Sequence, residues 1–214
     1  MEYIKNPMEI ENKSFEMIQE IIEETRPDYV FKNKVEESIM KRAIHTTADF
    51  DYLDNLKLSV DFIDEMISAL KNKATIYTDT NMALSGISKP ALKKLGCEVK
   101  CFVADERTRE IAKEKSITRS MAAIYRAAEE EGEKIFVIGN APTALFQIIE
   151  LVNEKKLEAK AVVGVPVGFV GAVESKDAIH NTSIPNIAAL GRKGGSNLAA
   201  AIVNAILYSM VERD

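Results

Sequence analysis

His45 is one of two histidines in the chain, and imidazole is the side chain whose ordinary pKa lets it both give and take a proton near neutrality. It stands in Arg42-Ala43-Ile44-His45-Thr46-Thr47-Ala48-Asp49, where Arg42 and His45 are three apart and so share one face of a helix. Near the end of that helix the imidazole is placed to meet something beyond it, which opens a proton-transfer role. A histidine that merely answers a helix dipole or lies on the surface fits the same residues, and the local pattern does not decide between the two. His180, among Asp177, Asn181 and Thr182, reads as a surface residue at a helix end.

Anion chemistry has two candidate places. In Gly191-Arg192-Lys193-Gly194-Gly195-Ser196, free backbone amides, the positive end of a helix and two cations coincide. A charged turn leading into a helix is the plainer reading, and the two adjacent glycines beside two cations favour anion binding. The lysine precedes the glycine pair instead of the serine, so this is no Walker loop, and no strand-linked Gly-x-Gly-x-x-Gly occurs. No nucleotide cofactor is expected. Thr118-Arg119-Ser120 opens another helix with a cap, a cation and a hydroxyl, which suits either capping alone or a carboxylate or phosphate. Arg107 and Arg109 read as partners of Asp105, Glu106 or Glu110 on a solvated face.

These groups need a frame. Residues 161–165 form an apolar run rich in valine with no polar alternation, which predicts a parallel strand covered on both faces. Pro166 ends the ladder, and Gly168 and Gly171 let the following loop turn sharply or approach a ligand. That loop carries the aromatic Phe169, with Glu174, Ser175 and Lys176 on the same edge. Ligands of open parallel sheets bind beyond the carboxyl ends of the strands. Polar residues collect there in turn: Thr78, Asp79, Thr80 and Asn81, then Asp105, then Asn140 and Thr143, then Arg192 and Lys193. A single rim site requires this, although capping of successive helices produces part of it.

Five apolar runs, at 74–77, 98–103, 134–138, 161–165 and 184–190, alternate with helical patterns that begin near Ser88, Thr118, Ala141 and Lys176, and a last helix spans about 195–210. Right-handed crossovers then predict an α/β fold: a three-layer, doubly wound, flavodoxin-like sheet of five parallel strands. Residues 1–73 read as an amino-terminal helical arm in which Ser14 caps the first helix, a second runs from about Asp28 to His45, and a third follows with Val60, Ile63, Met66, Ile67 and Leu70. The 214 residues suit one domain of 1–214, with a core from 74. A formal charge of −5 argues against a nucleic-acid-coating surface. Cys97 and Cys101, about 13 Å apart along a strand, cannot form a disulfide and are too few for zinc, so no metal site is expected and reduced thiols point to the cytoplasm. Neither a signal segment nor a membrane span is indicated.

Taken together, Arg42 to His45, Lys13-Ser14-Phe15, Thr118-Arg119-Ser120, Ile138-Gly139-Asn140-Ala141-Pro142-Thr143-Ala144-Leu145, residues 164–177 and Gly191 to Ser196 with its alanine-rich helix resemble the precorrin-8X methylmutase family, including its cobalt-precorrin-8 members. The resemblance spans nearly the whole chain. It implies a homodimeric isomerase of vitamin B12 corrin assembly that moves a methyl group from carbon eleven to carbon twelve of precorrin-8X or cobalt-precorrin-8, giving hydrogenobyrinate or cobyrinate. It further implies His45 as the acid or base touching the macrocycle and Ser14 and Arg42 as substrate contacts. A tetrapyrrole fringed with carboxylate arms accounts for Phe169 as an apolar floor and for cationic, amide-rich edges at Thr118 to Ser120 and at Arg192, Lys193, Gly194 and Gly195. Asn140, Thr143, Gly168, Glu174, Ser175 and Lys176 complete the expected rim. Methyl migration within one molecule needs no external donor, in keeping with the missing cofactor motif. A non-catalytic carrier that binds a corrinoid and a flavodoxin-like phosphate-binding or signalling domain are the rival readings.

Overall fold

The computed structural model describes residues 4–212. In chain order its elements are α1 (Pro7–Thr25), α2 (Lys34–Thr47), α3 (Tyr52–Asn55), β1 (Leu56–Leu58), α4 (Phe62–Lys71), β2 (Thr75–Thr78), α5 (Asn81–Gly86), α6 (Lys89–Leu95), β3 (Glu98–Lys100), α7 (Glu106–Lys115), α8 (Arg119–Ala128), β4 (Lys134–Ile138), α9 (Pro142–Asn153), β5 (Ala161–Gly164), α10 (Ala172–His180), β6 (Asn186–Ala189) and α11 (Ser196–Met210). The strands make one sheet in the order β1-β6-β5-β4-β2-β3. β2 to β6 are parallel throughout, and β5 lies between two parallel neighbours, β4 and β6.

Side chains alternate across this sheet, and the alternation builds two cores. Ile135, Val137, Val163 and Ile187 point to one face, where α2, α4 and α11 supply Ile39, Ile44, Met66, Leu70, Ile202 and Ile206. Phe136, Ile138, Val162 and Ala188 point to the other, covered by Ile124 of α8, Leu145 and Ile148 of α9 and Ile179 of α10. Central strands are therefore apolar on both faces, which is why their sequences show no polar alternation.

Three expectations change. The sheet has a sixth strand, β1, antiparallel to β6 with Leu56 opposite Ala189 and Leu58 opposite Ile187. Its three residues, Leu56-Lys57-Leu58, sit between two helices and are too short to register as a run, so the chain before residue 74 contributes an edge strand as well as helices. Ser14 caps nothing: α1 begins at Pro7, Asn6 caps it by accepting from the amides of Met8 and Glu9, and the Ser14 hydroxyl donates back to Ile10 O at 2.8 Å. The second helix starts at Lys34, six residues later than expected, because Asn33 accepts from the amides of Val35 and Glu36.

The rim loops meet with no room for side chains. A Cβ on Gly139 would lie 2.7 Å from Ser196 Cα, and one on Gly194, whose φ is +157°, would lie 2.2 Å from Val165 O. Gly195 N donates to Val165 O at 2.8 Å and Gly168 N to Arg192 O at 3.1 Å. The loops after β4, β5 and β6 are thus joined backbone to backbone. Gly194→Ala should therefore lose about 3 kcal/mol of stability, from overpacking together with backbone strain. Gly132→Ala, at a left-handed glycine with nothing within 4 Å, should lose only about 1 kcal/mol. Urea unfolding of both variants checks this; equal losses would contradict close approach as the reason for Gly194.

Candidate active site at the carboxyl ends of the strands

Asp79, just after β2, holds the adjacent loop. Its buried carboxylate accepts from Gly139 N at 3.0 Å, Asn140 N at 2.8 Å and Ala141 N at 2.7 Å. Burial pushes the carboxyl up from its ordinary value, and the three amides pull against that. The contact fixes the start of α9, from which Asn140 is exposed and Thr143 half-buried. Thr143 Oγ1 lies 3.1 Å from Thr118 Oγ1, the cap of α8, so the Thr118-Arg119-Ser120 turn and the start of α9 share one edge. Thr80 joins the same rim to α11 through Ser196 Oγ at 2.8 Å.

The 191–195 turn stands beside them. Arg192 is exposed and its guanidinium lies 5.9 Å from the centre of the Phe169 ring. Phe169 is 83% exposed and Val170 93%, which makes the loop after β5 an uncovered apolar shelf. Among the described residues the amides of Lys193 and Gly194 have no backbone acceptor. Lys193 itself is engaged: its ammonium pairs with Asp49 at 2.5 Å and Asp51 at 2.6 Å. Those bonds raise its pKa above the ordinary value. Burial works against the Asp49 carboxyl, but the bonds from Lys193 and the Asp51 amide hold it low. Lys193 O in turn accepts from the ammonium of Lys176 at 2.8 Å.

His45 lies exposed in the last turn of α2, at a cavity of about 320 Å³ lined by Arg42, Thr46, Met82, Gly86, Asn197, Ala200, Ala201 and Asn204. Its ring meets Phe15 edge to face at 5.5 Å. Asn197 joins the two halves of the site, since it lines this cavity and its Oδ1 sits 2.7 Å from where a Cβ on Gly195 would be. Asp49 and Asp51 add a second connection, running from the end of the His45 helix to Lys193.

Several of the other expected site residues have surroundings that the sequence did not show. Ser175 and Lys176 are fully buried, because α10 begins at Ala172 and turns them inward; Ser175 Oγ donates to Ala172 O at 3.2 Å. Glu174 stays exposed in the first turn of α10. Arg42 gives its guanidinium to Glu11 at 2.6 Å and lies 5.2 Å and 5.1 Å from the ring centres of Phe15 and Tyr208. Ser14, half-buried on α1, turns its hydroxyl to its own helix. His180 is at the helix end as expected but half-buried, with Nδ1 3.4 Å from Asn186 Oδ1. The sequence reading missed Asn197 and Met82 at the cavity and Asp49 and Asp51 at Lys193. Asn197 follows the glycine pair by two residues, the only cue it offered; the pairing of Lys193 across more than 140 positions offered none.

A family model described as precorrin-8X methylmutase matches residues 9–209. The chain is 54% identical over 213 residues to a cobalt-precorrin-8 methylmutase of Salmonella typhimurium, covering 99% of this chain and 100% of that protein. It is 44% identical over 212 residues to a cobalt-precorrin-8 methylmutase of Leptospira interrogans, covering 95% and 94%. Its structure is similar to that of a precorrin-8X methylmutase from Thermus thermophilus, with a TM-score of 0.82, 30% identity, and coverage of 92% of this chain and 95% of that one.

Lys176 gives the site a measurable pH signature. Burial lowers its pKa from 10.5 to about 8, with the charge of Asp177 opposing the shift. Below pH 8 folded and unfolded chains both hold the proton and the buried charge weakens the fold in full. Between 8 and 10.5 the unfolded chain holds more protons, so this contribution improves as pH rises. Urea unfolding across this range should show the stability of the wild type rising relative to Lys176→Met; a constant difference would contradict the burial of a titrating ammonium.

Proposed function

The chain belongs to the precorrin-8X methylmutase family, and on that footing we propose how its rim works. The protein is an isomerase, a precorrin-8X or cobalt-precorrin-8 methylmutase. Its reaction moves a methyl group from carbon eleven to carbon twelve of the macrocycle. We read the parallel strands, in the order β3-β2-β4-β5-β6, as a flavodoxin-like sheet with one added antiparallel edge.

The observation that carries the site assignment is the meeting of His45 with the 191–195 turn through Asn197 and through the Lys193 pairs. The macrocycle lies with one face toward His45 and its edge on the Phe169 shelf. Carboxylate arms engage Arg192 with the free amides of Lys193 and Gly194, and Arg119 with Thr118, Ser120, Thr143 and Asn140. Arg42 acts chiefly by fixing Phe15, against which His45 is set. An isomerisation leaves composition unchanged, so any proton that His45 gives to the ring must be recovered from it, and an imidazole near neutrality is suited to both steps. No observation favours a non-catalytic carrier.

A tetrapyrrole is broader than the cavity beside His45, which supports completion of the site by a second copy. The outward side of α1 carries Ile10, Met17 and Ile21, 45%, 50% and 36% exposed, at spacings that place them on one stripe. We take this stripe as the dimer contact. Cys97 and Cys101 are free thiols, and no helix among the described residues is long and apolar enough to cross a membrane; both agree with a cytoplasmic setting.

His45→Ala should lose about 10²- to 10⁴-fold in single-turnover conversion, followed by the change in absorption from precursor to corrin, with product affinity largely kept. His180→Ala should convert at close to the wild-type rate. Wild-type turnover by His45→Ala would remove His45 from the proton chemistry.

A further inference from the structure

Lys176 is wholly buried, yet its ammonium has one acceptor, Lys193 O at 2.8 Å, and no carboxylate in ion-pair range among the described residues. Burying a charge so thinly compensated weakens a fold, and a methionine of similar volume would fill the space without it. Stability alone therefore does not account for a lysine here. Groups that weaken the fold and stand beside a site are where function outweighs stability.

Its single bond falls on a residue with two other ties. Lys193 O is the carbonyl between Arg192, whose own carbonyl accepts from Gly168 N, and Gly194, which packs on Val165 O. The Lys193 ammonium reaches Asp49 and Asp51, immediately after the helix that carries His45. Lys193 thus links α10 at its backbone to the end of α2 at its side chain. The carbonyl that the ammonium bonds belongs to the same peptide as the Gly194 amide, one of the two amides of the turn without a backbone acceptor among the described residues. An anion docking at the turn supplies a counter-charge to an ammonium that has no ion-pair partner among the described residues.

We propose that Lys176 is a positioning residue for the methyl transfer: by donating to Lys193 O it orients the 191–195 turn toward a substrate carboxylate and keeps that turn in register with the His45 helix. The proposal rests on the reading that this turn binds a carboxylate arm, so the test carries Arg192→Ala alongside. The full chain bearing Lys176→Met is compared with wild type and Arg192→Ala by thermal melting at pH 7 and by absorption titration with the corrin product. Lys176→Met is expected to melt at or above the wild-type temperature while product Kd rises about tenfold or more. Arg192→Ala is expected to weaken product binding to a similar degree. Unchanged affinity in Lys176→Met with weakened binding in Arg192→Ala would overturn the role of Lys176 and leave the site reading standing. Unchanged affinity in both would remove the turn from the site. A lower melting temperature in Lys176→Met, or failure to fold, would make Lys176 a residue of the fold and overturn the proposal equally.

Discussion

Backbone must touch backbone at the carboxyl ends of the strands, and the site depends on that constraint. Gly194 packs on Val165 O, Gly139 on Ser196, and the Asp79 carboxylate gathers three successive amides of the loop after β4. Because these contacts leave no space for a Cβ or satisfy groups that burial would otherwise orphan, the loops have one arrangement open to them. That arrangement sets Phe169, Arg192 and the start of α9 on a common edge, and passes through Asn197 to the cavity beside His45. The chemistry of the rim is built on a frame made largely of main chain.

Charge then decides which side chains remain for a ligand. Lys193 is engaged by two aspartates, Arg42 by Glu11, and Lys176 is buried. Among the described residues Arg119 and Arg192 form no ion pair on this edge and are exposed. A substrate carboxylate approaching Lys193 would compete with Asp49 and Asp51, whereas one approaching Arg192 meets no competing carboxylate among the described residues and can gain a bidentate partner. The paired cations tie elements together and the exposed arginines stay open to a ligand, although all of them look alike in the sequence.

Much of this frame was legible in the residues because parallel strands buried on both faces write an unmistakable pattern. Runs 134–138 and 161–165 appear as β4 and β5 within one residue, and Ser88, Thr118 and the Pro142 start mark helices where caps belong. β1 was not legible, since a three-residue edge strand has too little period to read. Ser14 misled because a hydroxyl before an apolar stripe resembles a cap, while the true cap, Asn6, stands eight residues earlier before a proline. Ser175 and Lys176 mislead because the capping pattern places the start of the helix near Lys176. With its start at Ala172 the same residues fall on an inner turn. Motif spacing singled out His45 and the 191–195 turn as candidates, but their partners come from distant parts of the chain, and only the folded arrangement joins them.

Whether one corrin macrocycle lies between His45 and the 191–195 turn is tested most directly by a crystal structure of the protein with its corrin product bound. The expected result is a carboxylate arm within hydrogen-bonding distance of the Arg192 guanidinium and the Lys193 and Gly194 amides, the His45 imidazole against the ring, and a second copy packed on Ile10, Met17 and Ile21 of α1. A macrocycle bound on another surface, such as the ion-paired face of α7 and α8, with His45 and Arg192 both untouched, would contradict it.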